Sequence, residues 1–279
     1  MTPRLTDRTA LALHRARARQ SGESALFLHE TVRAEIDERL EEVNRTFKDT
    51  VIVTGFPEIW RDFPHATVIP DTETLALEPN AHDLVIHAMA LHWSDDPVGQ
   101  LVQCRRALRP DGFLIAAALG GQTLQELRRA LAEAETRVLG GLSPRVAPMA
   151  EIRDLGGLLQ RAGLALPVAD SRKLTTTYAS QKHLLHDLRA MGETNALASR
   201  DRRIPPRCLF ELASEIYAIS FPAPPDRITA TFEIIFLSGW SPSESQQRPL
   251  RPGSASQRLA DALGTIETPA GDTTVPRQD

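Results

Sequence analysis

The sequence is poor in three features that mark particular classes of protein. Its 279 residues include two cysteines, Cys104 and Cys208, without C-x-x-C spacing, so neither a zinc site nor a disulfide framework is indicated and a reducing cytoplasm is expected. The longest apolar run, residues 113–119, is far shorter than the roughly 20 residues that cross a bilayer, so no transmembrane segment is expected. Because 36 acidic residues face 32 Lys and Arg, bulk nucleic-acid binding is also excluded.

Glycine is scarce where a nucleotide-binding turn would need it. Residues 51–57 (VIVTGFP) have the pattern of a buried strand followed by a turn, yet Gly55 stands where three glycines would be expected. Pro57 follows closely and has no N–H to donate to a phosphate or carboxylate. The turn is therefore predicted to be incomplete.

Strands and helices nevertheless alternate along most of the chain. Residues 83–121 have the pattern of a strand, a loop, a helix, a Pro-Asp-Gly turn and a second strand. Further strands are predicted at residues 50–54, 66–69, 166–178 and 228–237. This alternation predicts an α/β fold with a doubly wound, mostly parallel sheet. Thr123 and Glu126, in the sequence T-L-Q-E, predict a capping box at the start of one helix.

Five regions are expected along the chain. Residues 1–48 are predicted to form an N-terminal helical region, and residues 49–178 the α/β core. Two helices interrupt the strand pattern in residues 179–227, so this segment is predicted to be a helical lid. Residues 228–258 return to the core with its last strand. Residues 259–279 have little to bury and are predicted to be disordered.

Several motifs resemble those of known proteins. The sequences LHW (residues 91–93), RALRPDGFL (106–114) and GGQTLQELR (120–128) resemble S-adenosylmethionine-dependent methyltransferases. Three longer segments, at residues 142–164, 187–197 and 239–255, are similar to the mitochondrial complex I assembly factor 5 group and its bacterial relatives. The resemblance covers about residues 5–258.

The resemblance implies a class I SAM methyltransferase-like, Rossmann-like sheet with a cofactor crevice at the carboxyl ends of its strands. It implies S-adenosyl-L-methionine as the cofactor and a protein substrate, or a subunit of a respiratory complex, as the partner. Members of the group are associated with methyl transfer or with arginine hydroxylation, and the resemblance leaves both open.

The first half of this fold is predicted to be truncated. Only 28 positions separate Gly55 from Asp83, whereas one βαβ unit takes about 30 residues. One crossover therefore fits between the first strand and the central strand, and two do not. By the resemblance, Asp71 and Glu73 match the D-x-E element that lies by the adenine in relatives.

The candidate cofactor residues are Gly55, Asp71, Glu73, His87 and Trp93. His87 and Trp93 lie at or just beyond the end of the central strand, where ligands meet such sheets. His92 is the candidate catalytic residue, because an imidazole can act as a base near neutral pH. The alternative is structural, since acids after strands serve as turn residues and His92 and Trp93 would also pack against the following helix.

The candidate partner-binding residues are Glu193, Asn195, Trp240 and Glu244, all within the segments that carry the resemblance. If the target is an arginine, Glu193 or Glu244 would be its carboxylate partner. Equally, these residues would latch the lid onto the sheet. No metal site is predicted, because His183, His186 and Asp187 share a helix face without a second group of ligands.

Two classes of function remain open at this point. The first is a SAM-dependent methyltransferase-like enzyme that acts on a protein in complex I assembly. The second is a cofactor-free assembly or scaffold protein with a degenerate SAM site, and hydroxylation of an arginine is a further alternative. An enzyme would bury a pocket beside Gly55, Asp71 and His87, whereas a scaffold would fill it with Phe56 or Trp60.

Overall fold

The computed structural model describes residues 4–20, 26–246 and 258–265. Within them, two short 3-10 helices occupy Pro57–Trp60 and Leu91–Trp93. The α-helices are α1 (Arg8–Gln20), α2 (Phe27–Glu42), α3 (Pro97–Ala107), α4 (Gln125–Leu139), α5 (Ile152–Arg161), α6 (Gln181–Ala190), α7 (Arg207–Ser220) and α8 (Leu259–Leu263). The strands are β1 (Thr50–Thr54), β2 (Ala66–Ile69), β3 (His82–Ala88), β4 (Leu108–Leu119), β5 (Ala165–Tyr178), β6 (Pro222–Ala223) and β7 (Arg227–Trp240).

The strands form one seven-stranded sheet in the order β2-β1-β3-β4-β7-β5, and β6 pairs with β7. The β2, β1, β3 and β4 strands are parallel, whereas β7 runs antiparallel to both β4 and β5. Helices separate the parallel strands β3 and β4, as a doubly wound sheet requires. The predicted fold class, a mostly parallel α/β sheet of class I methyltransferase type, is confirmed.

The connection between β1 and β2 is short, as the sequence predicts. A single crossover of residues 55–65 contains only the 3-10 helix, and β2 pairs directly with β1 from Thr50↔Ala66 to Val53↔Ile69. From β2 the chain passes to β3 without an intervening helix. Because β2 and β3 lie on either side of β1 and both run parallel to it, two crossovers connect β1 with the central strand β3, and the prediction that only one fits is wrong. Both fit because neither contains an α-helix.

Apolar residues on the two faces of the sheet form two separate cores. Alternation along the strands places Ile52 in one core and its neighbours Val51 and Val53 in the other. The first core lies against α2, α4, α6 and α7, and the second lies against α3 and α5. A third, small cluster contains four buried residues, Ala10, Leu11, Trp93 and Ala196.

The predicted capping box at α4 is wrong. Leu124 has a left-handed backbone (φ 53°) at the N-cap, and the hydroxyl of Thr123 donates to the Glu233 carbonyl, 3.1 Å away. The Glu126 carboxylate accepts from the Thr231 hydroxyl (2.5 Å) and N–H (3.2 Å). Both side chains tie the start of α4 to β7, because the strand offers buried backbone groups that would otherwise lack partners.

The predicted regions at the carboxyl end are only partly described. A short helix, α8 (Leu259–Leu263), occupies part of the segment that was predicted to be disordered. Residues 247–257, which carry part of the family resemblance, and residues 266–279 lie outside the described part of the chain. In the portion that is described, no helix combines the length and the apolar character needed to cross a bilayer.

Candidate functional site

The carboxyl ends of the parallel strands form the ligand edge of the sheet. Gly55 follows β1, Asp71 lies two residues after β2, and Met89 follows β3 with a left-handed backbone (φ 50°). This edge has two sides, which we call the nucleotide side, around Gly55 and Asp71, and the pocket side, around Trp93 and Glu193.

The side chain of Arg15 from α1 occupies the nucleotide side. A Cβ at Gly55 would lie 2.6 Å from Arg15 Nε, so only glycine leaves room for this guanidinium. Arg19, one turn further along α1, donates to the Gly55 carbonyl. The turn that would be expected to approach a cofactor therefore contacts two arginines of the same chain.

Asp71 is the ion-pair partner of α1. Its carboxylate accepts from Arg15 Nη1 at 2.7 Å and from Arg8 Nη1 at 3.2 Å, and its side chain is only 8% exposed. Burial on its own would raise the pKa of Asp71, but the charge and hydrogen bond of Arg15 outweigh it and hold the pKa below its usual value. The carboxylate is thus ionised and already engaged.

Aromatic side chains fill the space beneath the turn. Phe56 and Trp60 are each 1% exposed, and the Phe56 ring packs against the ring of His29 from α2, with centroids 4.3 Å apart and planes tilted by 50°. Outside Arg15 a groove of about 350 Å³ is lined by Gly55 and Asp71, but His87 does not contribute to it. The two aromatic side chains are therefore buried beneath the turn, and a groove remains beside Gly55 and Asp71.

His87 and Glu73 lie apart from the groove. His87 is fully buried, and its Nε2 donates to Gln100 Oε1 at 3.1 Å, since the Gln100 amide nitrogen donates to the Thr72 carbonyl. Burial lowers the pKa of His87, and the Gln100 hydrogen bond opposes this only in part. The Glu73 side chain is exposed, and its backbone carbonyl accepts from Gln100 and Gln103.

The pocket side is built around the buried carboxylate of Glu193. Trp93 Nε1 donates to Glu193 Oε2 at 3.1 Å, and His92 Nε2 lies 3.5 Å from the same oxygen. The Leu119 N–H donates to His92 Nδ1 at 3.4 Å, which leaves the proton on Nε2, facing Glu193. The other oxygen, Oε1, is buried and has no partner among the described residues.

The charge state of this cluster follows from its neighbours. Burial would raise the pKa of Glu193, but the hydrogen bond from His92 and the charge of Arg15 hold it below its usual value. Burial lowers the pKa of His29 to about 4, so His29 is neutral at pH 7. The site therefore presents an ionised carboxylate with one unpartnered oxygen.

Glu193 lies on the wall of a cavity of about 340 Å³ between α4, α6 and α7. Its walls are mainly apolar, and Phe210 is a partly exposed lining residue, 37% exposed. The apolar lining residues are Leu28, Trp93, Leu119, Leu124, Leu127, Leu131, Val146, Ala147, Met149, Leu185, Leu188, Met191, Phe210 and Phe232. An apolar cavity with one buried anionic oxygen suits a cation carried on an apolar stem.

Three polar residues of the cavity wall are held by their own partners. The amide nitrogen of Asn195 donates to the Pro144 carbonyl at 2.7 Å. Arg145 donates to Glu135 at 2.7 Å, and Arg200 pairs with Asp7 at 2.9 Å. Glu193 is therefore the buried carboxylate in the wall that still has capacity for a ligand.

Trp240 and Glu244 lie elsewhere. The β7 strand is antiparallel, so Trp240 ends it opposite Phe113 at the start of β4, with ring centroids 4.7 Å apart. Glu244 follows beyond Ser241, whose N–H donates to the Gly112 carbonyl. Both residues are thus at the amino edge of the parallel strands, so the structure does not bring them together with Glu193 and Asn195.

Sequence reasoning missed Arg8, Arg15 and His29. The three arginines of α1 that face the nucleotide side stand at positions 8, 15 and 19, a helical spacing that places them on one face. That spacing signals a basic stripe, but not the surface on which the stripe docks. Across the described ranges, no group of three or more His, Cys, Asp or Glu side chains has a metal-binding arrangement.

Comparison with known proteins agrees with this architecture. A family described as a methyltransferase domain matches residues 57–116. The protein named arginine-hydroxylase NDUFAF5, mitochondrial, from Danio rerio is 36% identical over 200 residues, which cover 72% of this chain and 62% of that protein. The chain resembles the NDUFAF5 group and is similar to SAM-dependent methyltransferases.

Other relatives of this methyltransferase-fold chain have different names. A malonyl-[acyl-carrier protein] O-methyltransferase of Laribacter hongkongensis is 34% identical over 188 residues, 67% of this chain and 61% of that protein. The solved structure of the YcgJ protein from Bacillus subtilis covers 76% of this chain and 99% of its own, with 11% identity and a TM-score of 0.47. The chain spans about three fifths of the length of the two curated relatives, 62% and 61%.

Proposed function

We propose that this methyltransferase-fold protein is an assembly or scaffold protein that binds an arginine side chain of a protein partner at Glu193 and does not use S-adenosylmethionine. The observation that carries the proposal is the contrast between the two sides of the ligand edge. Arg15 fills the nucleotide side, whereas Glu193 Oε1 on the pocket side is buried and unpartnered.

The residues on the nucleotide side do not fit the cofactor. S-adenosylmethionine carries a positive sulfonium, and here a guanidinium already occupies the turn after β1. Asp71 is paired with two arginines, so its capacity to accept from a ribose or an adenine is largely used. Pro57 also removes one N–H that the turn would otherwise present. These features support loss of the cofactor site.

The residues on the pocket side do fit a guanidinium. Oε1 can accept from one or two of its N–H groups, and the Trp93 ring, on the same wall, offers an aromatic face. The apolar cavity would cover the methylene stem of the arginine. The name of the NDUFAF5 relatives refers to arginine. The sequence resemblance to the complex I assembly factor 5 group suggests a respiratory-complex subunit as the partner.

A second candidate is SAM-dependent methyl transfer. The match to the methyltransferase domain over residues 57–116 favours it, because that segment includes Asp71 and the 3-10 helix with Trp93. For this function α1 would have to leave the nucleotide side when the cofactor binds. Binding measurements separate the two candidates.

The test is calorimetric titration of two kinds of ligand into the purified protein. An acetylated pentapeptide with a central arginine should bind, and its citrulline counterpart, which is neutral and nearly isosteric, should not. The variant Glu193→Gln should weaken arginine binding at least about 10-fold, which corresponds to about 1.4 kcal/mol. The matched control Glu244→Gln removes an exposed carboxylate at the opposite edge and should change nothing.

S-adenosylmethionine and S-adenosylhomocysteine are titrated in parallel. We expect no binding at millimolar ligand. Micromolar binding that Asp71→Ala weakens would overturn the proposal and establish a cofactor site. Equal binding of the arginine and citrulline peptides would contradict the assignment of Glu193 as the residue that binds a charged guanidinium.

A further inference from the structure

Residues 5–20, which we call the strap, contact both sides of the ligand edge. The strap comprises α1 and the three residues that precede it. Its buried apolar residues, Ala10 and Leu11, form the small third cluster with Trp93 and Ala196. Trp93 is also the residue that donates to Glu193. The strap therefore packs directly on the residue that holds the carboxylate of the pocket.

On the nucleotide side, the strap is held by ion pairs and a hydrogen bond of its arginine side chains. Arg8 and Arg15 pair with Asp71, and Arg19 donates to the Gly55 carbonyl. These three arginines are distributed over the length of α1. Its position is thus set by contacts with the ends of β1 and β2.

On the pocket side, the strap is fastened to the loop that follows α6, residues 193–200. The Asp7 N–H donates to the Ala196 carbonyl at 2.7 Å, and the Ala198 N–H donates to the Leu5 carbonyl at 2.8 Å. Thr6 forms a β-bridge with Leu197. These backbone bonds hold the segment that carries Glu193.

Side chains add to this attachment. Asp7 pairs with Arg200 at 2.9 Å, and His14 Nδ1 lies 3.2 Å from the Thr194 carbonyl. Gly192 has a left-handed backbone (φ 77°), and a Cβ there would lie 3.4 Å from Arg15 Cα. The loop and α1 are therefore in close contact from residue 192 to residue 200.

The fastened position also carries a cost. Nε of Arg8 and both Nε and Nη2 of Arg15 are buried without a hydrogen-bond partner in the described structure. A buried donor without a partner costs about 1–3 kcal/mol, and more when it is charged. The apolar cluster of the strap has only four buried residues, separate from the two large cores. Local opening of such a unit requires less free energy than global unfolding.

We propose that the strap is a gate, whose release from Asp71 loosens residues 193–200 and admits a cationic side chain to Glu193. This inference rests on the proposed function for the identity of the ligand, but not for the coupling itself. The Glu193 side chain is 5% exposed while the strap is fastened. Because the arginines that pair with Asp71 and the residues that bind the loop belong to one continuous strap, a change at Asp71 is transmitted to the loop around Glu193.

The coupling is tested by hydrogen–deuterium exchange of the full chain and of Asp71→Asn. We expect faster exchange in peptides from residues 8–20 and, together with them, in peptides from residues 193–200. Peptides from α3 should exchange as in the wild type. The association rate of the arginine pentapeptide should rise at least about 10-fold, because the competent state becomes more populated.

The matched control is Asp49→Asn. Asp49 pairs with Arg109 at 2.6 Å just before β1, away from the strap, so neither the strap nor the loop should change. If Asp71→Asn does not fold, Arg8→Met breaks the more exposed of the two pairs. Asp95→Asn is a further variant, since Asp95 accepts from the N–H groups of Leu5 and Thr6.

Two outcomes would overturn the gate. One is faster exchange in α1 with residues 193–200 unchanged, and the other is an unchanged strap in every variant that folds. If the arginine peptide binds neither the wild type nor the variants, the proposed function fails, while the exchange data still decide whether the strap is coupled to the loop.

Discussion

At the scale of single residues, unpartnered polar atoms are concentrated at the ligand edge. They include Arg15 Nε and Nη2, His29 Nε2, His87 Nδ1 and Glu193 Oε1. Most buried polar groups in proteins have a partner, so such a concentration reduces stability at one place. This loss of stability leaves Glu193 Oε1 available to accept a hydrogen bond from a ligand. A carboxylate oxygen that already had a partner would gain little from a ligand.

His29 makes this cost dependent on pH. Its native pKa is about 4 because of burial, whereas an unfolded histidine titrates near 6.5. Between these values the unfolded chain binds a proton that the native state does not, so the free energy of unfolding falls as the pH is lowered from 6.5 to 4. The contribution of His29 to this fall is about 3 kcal/mol at most.

The variant His29→Leu should remove that contribution. Urea unfolding at several pH values should give a shallower decrease for the variant than for the wild type. The buried or half-buried His14, His82 and His87 also have lowered pKa values and titrate in both proteins, so the difference between them isolates His29. Parallel curves for the two proteins would show that His29 is not buried as a neutral ring.

At the scale of elements, the sequence predicts local structure better than docking. The bounds predicted for β1 and β2 agree with the structure to the residue, because a short apolar run between turn residues defines a buried strand. The helix of α1 is also apparent from its sequence. Its position over Gly55 is not, since that depends on a contact between residues 40 positions apart, the Arg15 side chain and the Gly55 backbone.

Strand direction explains why Trp240 and Glu244 lie away from Glu193 and Asn195. Trp240 and Glu244 follow a strand whose pattern resembles that of its parallel neighbours, so sequence alone places their loop with the others. Because β7 runs antiparallel to β4, its carboxyl end lies at the opposite edge of the sheet. The partner of a strand is a long-range property, and residue patterns within the strand do not reveal it.

The start of α4 gives a prediction at this scale. In a capping box, Thr123 and Glu126 would interact with each other, whereas the structure joins Glu126 to Thr231 and Thr123 to Glu233. We expect Glu126→Gln and Thr231→Val to be coupled by about 0.5–3 kcal/mol in a double-mutant cycle. Glu126→Gln and Thr123→Val should be closer to additive.

The measurement for α4 is the free energy of unfolding of each single and double variant in urea. The Thr123 and Glu126 pair acts as the internal control for the Glu126 and Thr231 pair, because both pairs share one substitution. Strong coupling between Thr123 and Glu126, without coupling between Glu126 and Thr231, would contradict these contacts and support a capping box.

At the scale of the whole molecule, one fold supports two different uses of the same edge. The sheet is mostly parallel, and residues 57–116 match a methyltransferase domain. Yet the N-terminal helix of the chain lies over the nucleotide side, and a separate cavity lies beside Glu193.

This view predicts chemical rescue at the nucleotide side. The variant Arg15→Ala should lower the thermal midpoint, because it leaves a cavity next to the buried Asp71 carboxylate with one fewer cation. Guanidinium ion at low millimolar concentration, well below denaturing levels, should partly restore the midpoint by binding the native state, whereas an equal concentration of sodium should not. The matched variant Arg109→Ala breaks the exposed pair with Asp49 and should show no such rescue. The opposite result is that guanidinium lowers the thermal midpoint of Arg15→Ala by the same amount as that of the wild type. That result would show that no guanidinium site remains beside Asp71 in the variant, and it would contradict the role given to Arg15.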